Sequence, residues 1–494
     1  IRVTQFIIFK NHSMQSISAS IKYIEELDFS VFDIPFYQRS YRWQTSHVET
    51  LLSTVRDNMD KEEYRIGSII LHPSSESGKL DIVDGQQRLT TLSLIFMCLE
   101  DNTSHRLSCQ YRHVESKQNI YRNYQYIKNW ISRPDFDKDK FKKFILQQCS
   151  LVVIVAQDLS EAFQMFDSQN GRGKELEAYN LLKAYHLRAI DNENTQIDIN
   201  EEKIAIDRQW EEAVLMRTYC SDSSLLKYLM NELYRIRQWS KLQRAGRFGK
   251  SKIKEFKGIQ FNGRKSELPL HNSSFLLYMY LTENINVAKR NGVDNSEQNP
   301  FVSINMDIIN GKLFFSYVQT YVSAYNYLFK SEVTQESPIF QFRKDFDKYC
   351  LGYGGAYRTG DTYIREVYVA MIIAIYDRFG EEYVERWYKT LYILAYRKRL
   401  ESESVFYNSI AEYPKEYFNI IASAIDESGL EPLRNLSINM IQCKKLGERE
   451  YEIAKFIVNC GVELTSVGGN IKIGGNTVSS GTIISKDYFE HGEN

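Results

Sequence analysis

The stretch Leu80-Asp81-Ile82-Val83-Asp84-Gly85-Gln86-Gln87-Arg88 constrains the fold more tightly than any other in the chain. Its apolar first half, Leu80 to Val83, predicts a short strand, and the run Leu89 to Met97 that follows predicts a buried helix. Gly85 supplies the backbone freedom to pass directly from one to the other and lets a ligand approach closely. The first N–H groups of a helix have no partner within it, so this turn offers donors to an anion. Gln86, Gln87 and Arg88 fall in the first turn, where amides and a guanidinium can reach phosphate oxygens, and Asp84 can face a metal ion. The same residues also describe an ordinary strand–turn–helix with a solvated arginine. Alone, they leave the two readings level.

The surrounding pattern divides the chain. Ile17, Ile21, Ile24 and Leu27 recur at helical intervals, predicting a helix over 15–27, and Phe29 to Ile34 predicts a strand. A helix over about 45–59, a strand over Ile66 to Leu71 and a buried strand over Leu151 to Val155 complete a small sheet with helices. Leu176 to Leu187 reads as helical again. From about 200 to 460 long amphipathic segments rich in Tyr, Leu and Lys predict an all-α region. The expected organisation is an α+β domain over 14–195, an α-helical domain over 196–460 and a β-prone appendage or tail over 461–494. Residues 1–13 are expected to lie upstream of the functional domain.

Composition excludes several classes. With 494 residues the chain can bury two or three cores. Its 34 Tyr and 27 Phe against 8 Pro argue against long disordered linkers. A formal net charge of −1 gives no global attraction to nucleic acid, so any such surface must be local. The longest apolar run, Val367 to Tyr376, is too short to span a membrane and predicts a core helix. Seven scattered cysteines without a CxxC pair disfavour a zinc ribbon or a disulfide framework and point to a reducing cytoplasm.

Two further segments bear on the turn. Ile34-Pro35-Phe36-Tyr37-Gln38-Arg39-Ser40-Tyr41-Arg42-Trp43 supplies phosphate donors and ring faces for stacking a base. Phe166-Asp167-Ser168-Gln169-Asn170-Gly171-Arg172-Gly173 places Asn170 and Arg172 on a glycine-rich loop able to close over a nucleotide. Each taken alone is more simply a core-plugging loop or a connection between helices.

In order, the three segments resemble the N-terminal domain of GmrSD-type restriction endonucleases, which is marked by IPxYQRxYxW, DGQQRLTT and a later FxxxNxRGxxL motif. The resemblance is firm over residues 14–190. It implies a fold related to ParB and sulfiredoxin, and a nucleoside triphosphate bound or hydrolysed with Mg²⁺ or a similar divalent cation. It also implies coupling to cleavage of modified DNA in phage defence. Carried over by motif, Asp84, Gln87, Arg88 and Arg39 act on the phosphates, with Asp84 toward the metal. Tyr37, Gln38, Arg42, Gly85, Gln86, Asn170 and Arg172 hold the nucleotide.

Many relatives add an HNH-like nuclease domain, which needs a histidine base beside metal ligands. Of eight histidines only His271 and His491 lie beyond residue 200, neither in such a motif. Cleavage is therefore expected from a nuclease partner chain or from a divergent site that lacks this motif. His186 reads as structural rather than as a substrate contact. A basic run from Arg235 to Lys265 has one acid, Glu255, and interleaves Trp239, Phe248, Phe256 and Phe261. Its residues Arg235, Arg237, Lys241, Arg244, Arg247, Lys250, Lys252 and Lys254 are expected to track a DNA backbone. A solvated basic helix is the simpler alternative.

The expectation is thus a restriction-type defence protein that binds and hydrolyses a nucleoside triphosphate to gate DNA recognition or cleavage. The competing expectation is a non-catalytic subunit that recognises DNA, including modified DNA, beside a separate nuclease. Expected partners are phage DNA, the nuclease chain and a second copy of this chain, with no membrane.

Overall fold

The computed structural model describes residues 17–35, 38, 40–74, 78–100, 104–108, 111, 114–158, 161–162, 165, 177–190, 199–259, 302–467, 471–473 and 476–491. The chain divides into two compact units, Ile1–Ala184 and Tyr185–Asn494.

The first unit is built on a mixed five-stranded sheet in the order β1-β5-β3-β4-β2. Its strands are β1 (Ile17–Tyr23), β2 (Phe32–Asp33), β3 (Tyr64–Pro73), β4 (Leu80–Asp84) and β5 (Cys149–Ala156). β3 lies at the centre, parallel to β5 and antiparallel to β4. Side chains alternate between its faces, as the pleat requires. Ile69, Leu71, Ile82, Leu151 and Val153 enter the main core, while Ile70, Val83 and Ile154 enter a smaller one opposite. Helix α1 (Thr45–Arg56), α2 (Gln86–Cys98), α3 (Val114–Ile131) and α4 (Lys138–Gln147) complete the unit. From α2, Leu89, Leu92, Ile95 and Phe96 are buried in the main core. Each such burial contributes about 1.5–3 kcal/mol, which fixes the helix under the sheet.

Of the helix expected over 15–27, the described residues form strand β1 over Ile17–Tyr23 and a turn of 3₁₀ helix over Ile24–Glu26. β1 pairs along its length with β5, from Ile17 opposite Ala156 to Tyr23 opposite Ser150. The isoleucine spacing was coincidental, since Ile21 is exposed and only Ile24 and Leu27 are buried. Serines and β-branched isoleucines are weak helix formers, so edge pairing decides the outcome. The strand expected from Phe29 begins instead as a turn of 3₁₀ helix, Phe29–Val31, started by Asp28.

The second unit begins within the helix α5 (Ala178–Ile190) and is mostly helical. It contains α6 (Ile199–Leu215), α7 (Leu225–Ser240), α8 (Lys312–Phe329), α9 (Thr359–Phe379) and α10 (Glu381–Glu401) among others. α9 is buried continuously from Val367 to Tyr376, as a helix segment apolar on all sides should be. The expected boundary at 460 is not observed as a break. Strand β6 (Ile441–Cys443) pairs in parallel with β7 (Leu464–Ser466), which pairs with a later strand, Ile483–Ile484. Ile441, Leu464 and Ile484 are all buried, so the glycine-rich end is anchored to the helical region. Among the described residues, no helix is long and apolar enough to cross a membrane.

Candidate functional site

The Asp84–Arg88 turn has the geometry its sequence predicts. β4 ends at Asp84, and α2 begins at Gln86 with Gly85 as its N-cap at φ 92° and ψ 2°. A Cβ at Gly85 would also lie 2.6 Å from Ile69 Cγ2, so dihedral and packing both demand glycine. Among the described residues no side chain caps the helix.

Arg88 folds back over the centre of the sheet. Its Nη1 donates to Ser68 O at 2.7 Å. A Cβ at Gly67 would meet the guanidinium carbon at 2.8 Å, so the side chain lies directly on that glycine's backbone. Gly67 has φ 149° and sits at a register shift between β3 and β5. Sequence reasoning did not identify Gly67 or Ser68 as part of the site. The signal was a glycine inside a strand pattern, which marks a bulge or a close approach. Burial lowers the Arg88 pKa, and the charge of Asp84 offsets this only in part. Among the described residues, no carboxylate lies within ion-pair distance of Arg88.

Gln38 and Gln87 serve the scaffold. Gln38 Nε2 donates to Ile82 O at 2.8 Å and Val83 O at 2.6 Å, joining the first motif to β4. Gln87 Oε1 accepts the N–H groups of Arg42 at 2.8 Å and Trp43 at 3.2 Å, and its Nε2 donates to Ser40 O. This residue, expected to assist chemistry, works as a clasp for residues 40–43. Gln86 is buried, and its Oε1 has no hydrogen-bond partner among the described residues. Arg42 donates from Nε to Ser40 Oγ at 3.0 Å and pairs with Glu115 at 3.3 Å.

Tyr41 locks the two motifs together. It is fully buried, and its hydroxyl meets Thr91 Oγ1 at 2.8 Å and Asn123 Nδ2 at 3.0 Å. Its carbonyl accepts from Asn119 Nδ2, and its N–H donates to Ser116 Oγ. The first two motifs are therefore brought together. Tyr37, Arg39, Asn170 and Arg172, with the whole third motif, lie outside the described residues.

The basic run is not a continuous DNA-facing stripe. Arg235 is fully buried, with Nη1 at 3.0 Å from Glu232 and 3.2 Å from Glu366, and its guanidinium 4.5 Å from the Trp239 ring. Arg237 is also buried, bonded to Glu255, Ile304 O and Met306 O. These two cannot present charge to a phosphate. Residues Glu232 to Trp239 of α7 are all buried, so this stretch of the helix has no outer face, and both acids that neutralise Arg235 lie outside the run. Trp239 and Phe256 are core residues, Trp239 stacking on Phe418. Lys241, Arg244, Arg247, Lys252 and Lys254 are exposed, with Lys241 paired to Glu255. Lys250 is partly buried.

His186 is structural, as expected. Its ring stacks on Phe314 at 3.7 Å and lies between Phe256 O and the Gly311 N–H. Burial pushes its pKa down to about 3, opposed by the bond to Phe256 and assisted by Lys257.

An α+β unit with a small mixed sheet and a glycine turn feeding a helix defines the class of the N-terminal unit. Residues 20–187 match the GmrSD restriction endonuclease N-terminal domain family, which agrees with the three motifs. Residues 202–447 match a family of unknown function (DUF7834). No curated protein matches the chain.

Proposed function

We propose that the N-terminal unit binds the phosphates of a nucleoside triphosphate at the Asp84–Arg88 turn, and that this event gates DNA recognition or cleavage in phage defence. The restriction-type character rests on the match over residues 20–187. One observation carries the phosphate reading. Arg88 is a largely enclosed cation beside a helix N-terminus, and among the described residues no carboxylate lies at ion-pair distance and no side chain caps the helix. A phosphate group would supply the charge that the protein withholds.

In this reading Arg88 swings from Ser68 O or shares its remaining N–H groups with phosphate oxygens. Gly85 admits the phosphates to the backbone donors of α2. Gln38, Gln87 and Tyr41 hold the turn rigid, which limits the reorganisation needed on binding. Asp84 is one carboxylate, and no cluster of three metal-ligating side chains occurs among the described residues. That donor set fits Mg²⁺ held mainly by the nucleotide's own phosphates, with Asp84 beside it, and does not fit a self-standing metal centre. The cation would neutralise phosphate charge. Strand scission is assigned to a nuclease module other than these two compact units, motivated by the scarcity of histidines between residues 200 and 494.

A second reading has its own support. With Gln38 and Gln87 spent on backbone groups, Asp84 is the one acid in the described turn, which favours a phosphate-binding module for DNA over a hydrolase. The test is phosphate release from each of the four ribonucleoside triphosphates with Mg²⁺, with and without DNA, in wild type and Arg88→Ala. Turnover that falls by about 10²-fold or more in the variant is expected. Absence of both nucleotide binding and turnover, with DNA still bound, replaces the NTPase reading by the recognition module.

A further inference from the structure

We infer that the first unit holds a second ligand site, for a small flat anion with an aromatic body, between α2 and α3. A cavity of about 490 Å³ opens there, within the range that encloses a small molecule. Its apolar wall is formed by Leu94 and Met97 of α2, Leu107 of the following loop, and Ile120, Tyr121 and Tyr124 of α3. Two cations, Arg106 and Lys117, border it, and no acid lies among its described lining residues. Arg106 Nε is buried without a hydrogen-bond partner among the described residues, and Lys117 is exposed and makes no ion pair there.

The cavity is braced before any ligand arrives. Tyr111 donates its hydroxyl proton to Thr90 Oγ1 at 2.9 Å, and Leu107 N donates to Ser93 Oγ at 3.1 Å. Both anchors stand on α2, immediately beyond the Asp84–Arg88 turn. Tyr121 is 68% exposed and Met97 44%, an unusual amount of apolar surface to leave at a cavity rim. An aromatic body satisfies the rings and the methionine sulfur, while its anionic group answers the unpartnered guanidinium nitrogen. A neutral ligand would leave both cations unanswered. The site lies on the flank of α2 rather than at its N-terminus, so it is independent of the nucleotide reading.

The test uses the whole chain and 8-anilinonaphthalene-1-sulfonate as an aromatic anion probe. Saturable one-to-one binding is expected, weakened about tenfold by Arg106→Gln with Lys117→Gln and abolished by Ile120→Trp, which fills the cavity. Should Ile120→Trp fail to fold, Lys117→Gln alone keeps the test decisive, because that side chain is exposed. The neutral probe N-phenyl-1-naphthylamine should bind at least fivefold more weakly. Saturating ATP with Mg²⁺, or Arg88→Ala, should leave probe binding unchanged. Multiple weak sites, equal affinity for the neutral probe, insensitivity to all the substitutions, or displacement by ATP would each overturn the proposal.

Discussion

Arg88 and Arg235 are both drawn away from water, and the chain treats them in opposite ways. Burial depresses both. At Arg235 the charges of Glu232, Tyr407 and Glu366 outweigh burial and leave the guanidinium's pKa raised, while at Arg88 the distant Asp84 does not and the pKa stays lowered. Arg235 is balanced in charge from within, by two carboxylates on its Nη1 and a tryptophan face away from solvent, although its Nε and Nη2 have no hydrogen-bond partner among the described residues. Arg88 donates to one backbone carbonyl and keeps unspent charge next to a row of backbone donors. A buried cation balanced from within belongs to the core. One left in deficit is what an anion site requires.

The largest expected effect sharpens this contrast from the structural side. Arg235→Ala removes the cation between Glu232 and Glu366, leaving Glu232 fully buried without its ion-pair partner and Glu366 half-buried. A loss of about 3–5 kcal/mol is expected, read as a fall in the urea midpoint of the helical unit. If the variant stays within about 1 kcal/mol of wild type, Arg235 is not the balanced core element described above, and the comparison collapses.

The second prediction is set by pH, and its sign follows from His186. Its pKa is lowered to about 3 in the folded state from an ordinary 6.5. Between these values the unfolded chain takes up a proton that the folded chain refuses. The stabilisation is therefore complete above pH 6.5 and drains away as pH falls toward 3, at up to about 1.4 kcal/mol per pH unit. Thermal unfolding between pH 7 and 5 should show the decline, with His186→Gln flattening it. An unchanged slope in the variant assigns the decline to other groups. A third, smaller effect tests the N-terminal scaffold. Tyr41→Phe strands Asn123 and Thr91 around a buried ring and should cost about 1–3 kcal/mol in chemical denaturation. Arg235→Ala is not expected to move this unit.

What was legible in the sequence follows from how local each determinant is. The strand–Gly85–helix turn was readable because one glycine between two apolar runs admits few alternatives. The continuous burial of Val367 to Tyr376 was readable because an apolar run has nowhere else to go. β1 was not, because Ile17, Ile21 and Ile24 fit a helical period, whereas its pairing with β5 depends on residues more than a hundred positions away. Gln87 was read as chemistry because the motif shows an amide. Its partners Arg42, Trp43 and Ser40 become visible only when the loop is folded over it. Arg235 illustrates the same limit. Counting charge along the run from Arg235 to Lys265 finds one acid, but Glu232 precedes the run and Glu366 lies on a distant helix. Composition gives the sign of a segment and says nothing about which way its side chains turn.

Arg88→Ala should have the smallest effect on stability, and for that reason it divides the two arginines best. The variant gives up one hydrogen bond to Ser68 O and the contact over Gly67, but it also removes a cation that burial disfavours. These opposing contributions should leave the unfolding free energy within about 1 kcal/mol of wild type. Ligand response should behave differently. In wild type, a nucleoside triphosphate well above its dissociation constant should raise Tm, with about 2.7 kcal/mol of added stability at a hundredfold excess. In the variant that rise should vanish. A fold kept and a ligand lost is the pattern of a residue retained for binding at no benefit to stability. If Arg88→Ala instead destabilises the first unit as severely as Arg235→Ala does the second, Arg88 is a scaffold residue too, and the phosphate site must be sought elsewhere along α2.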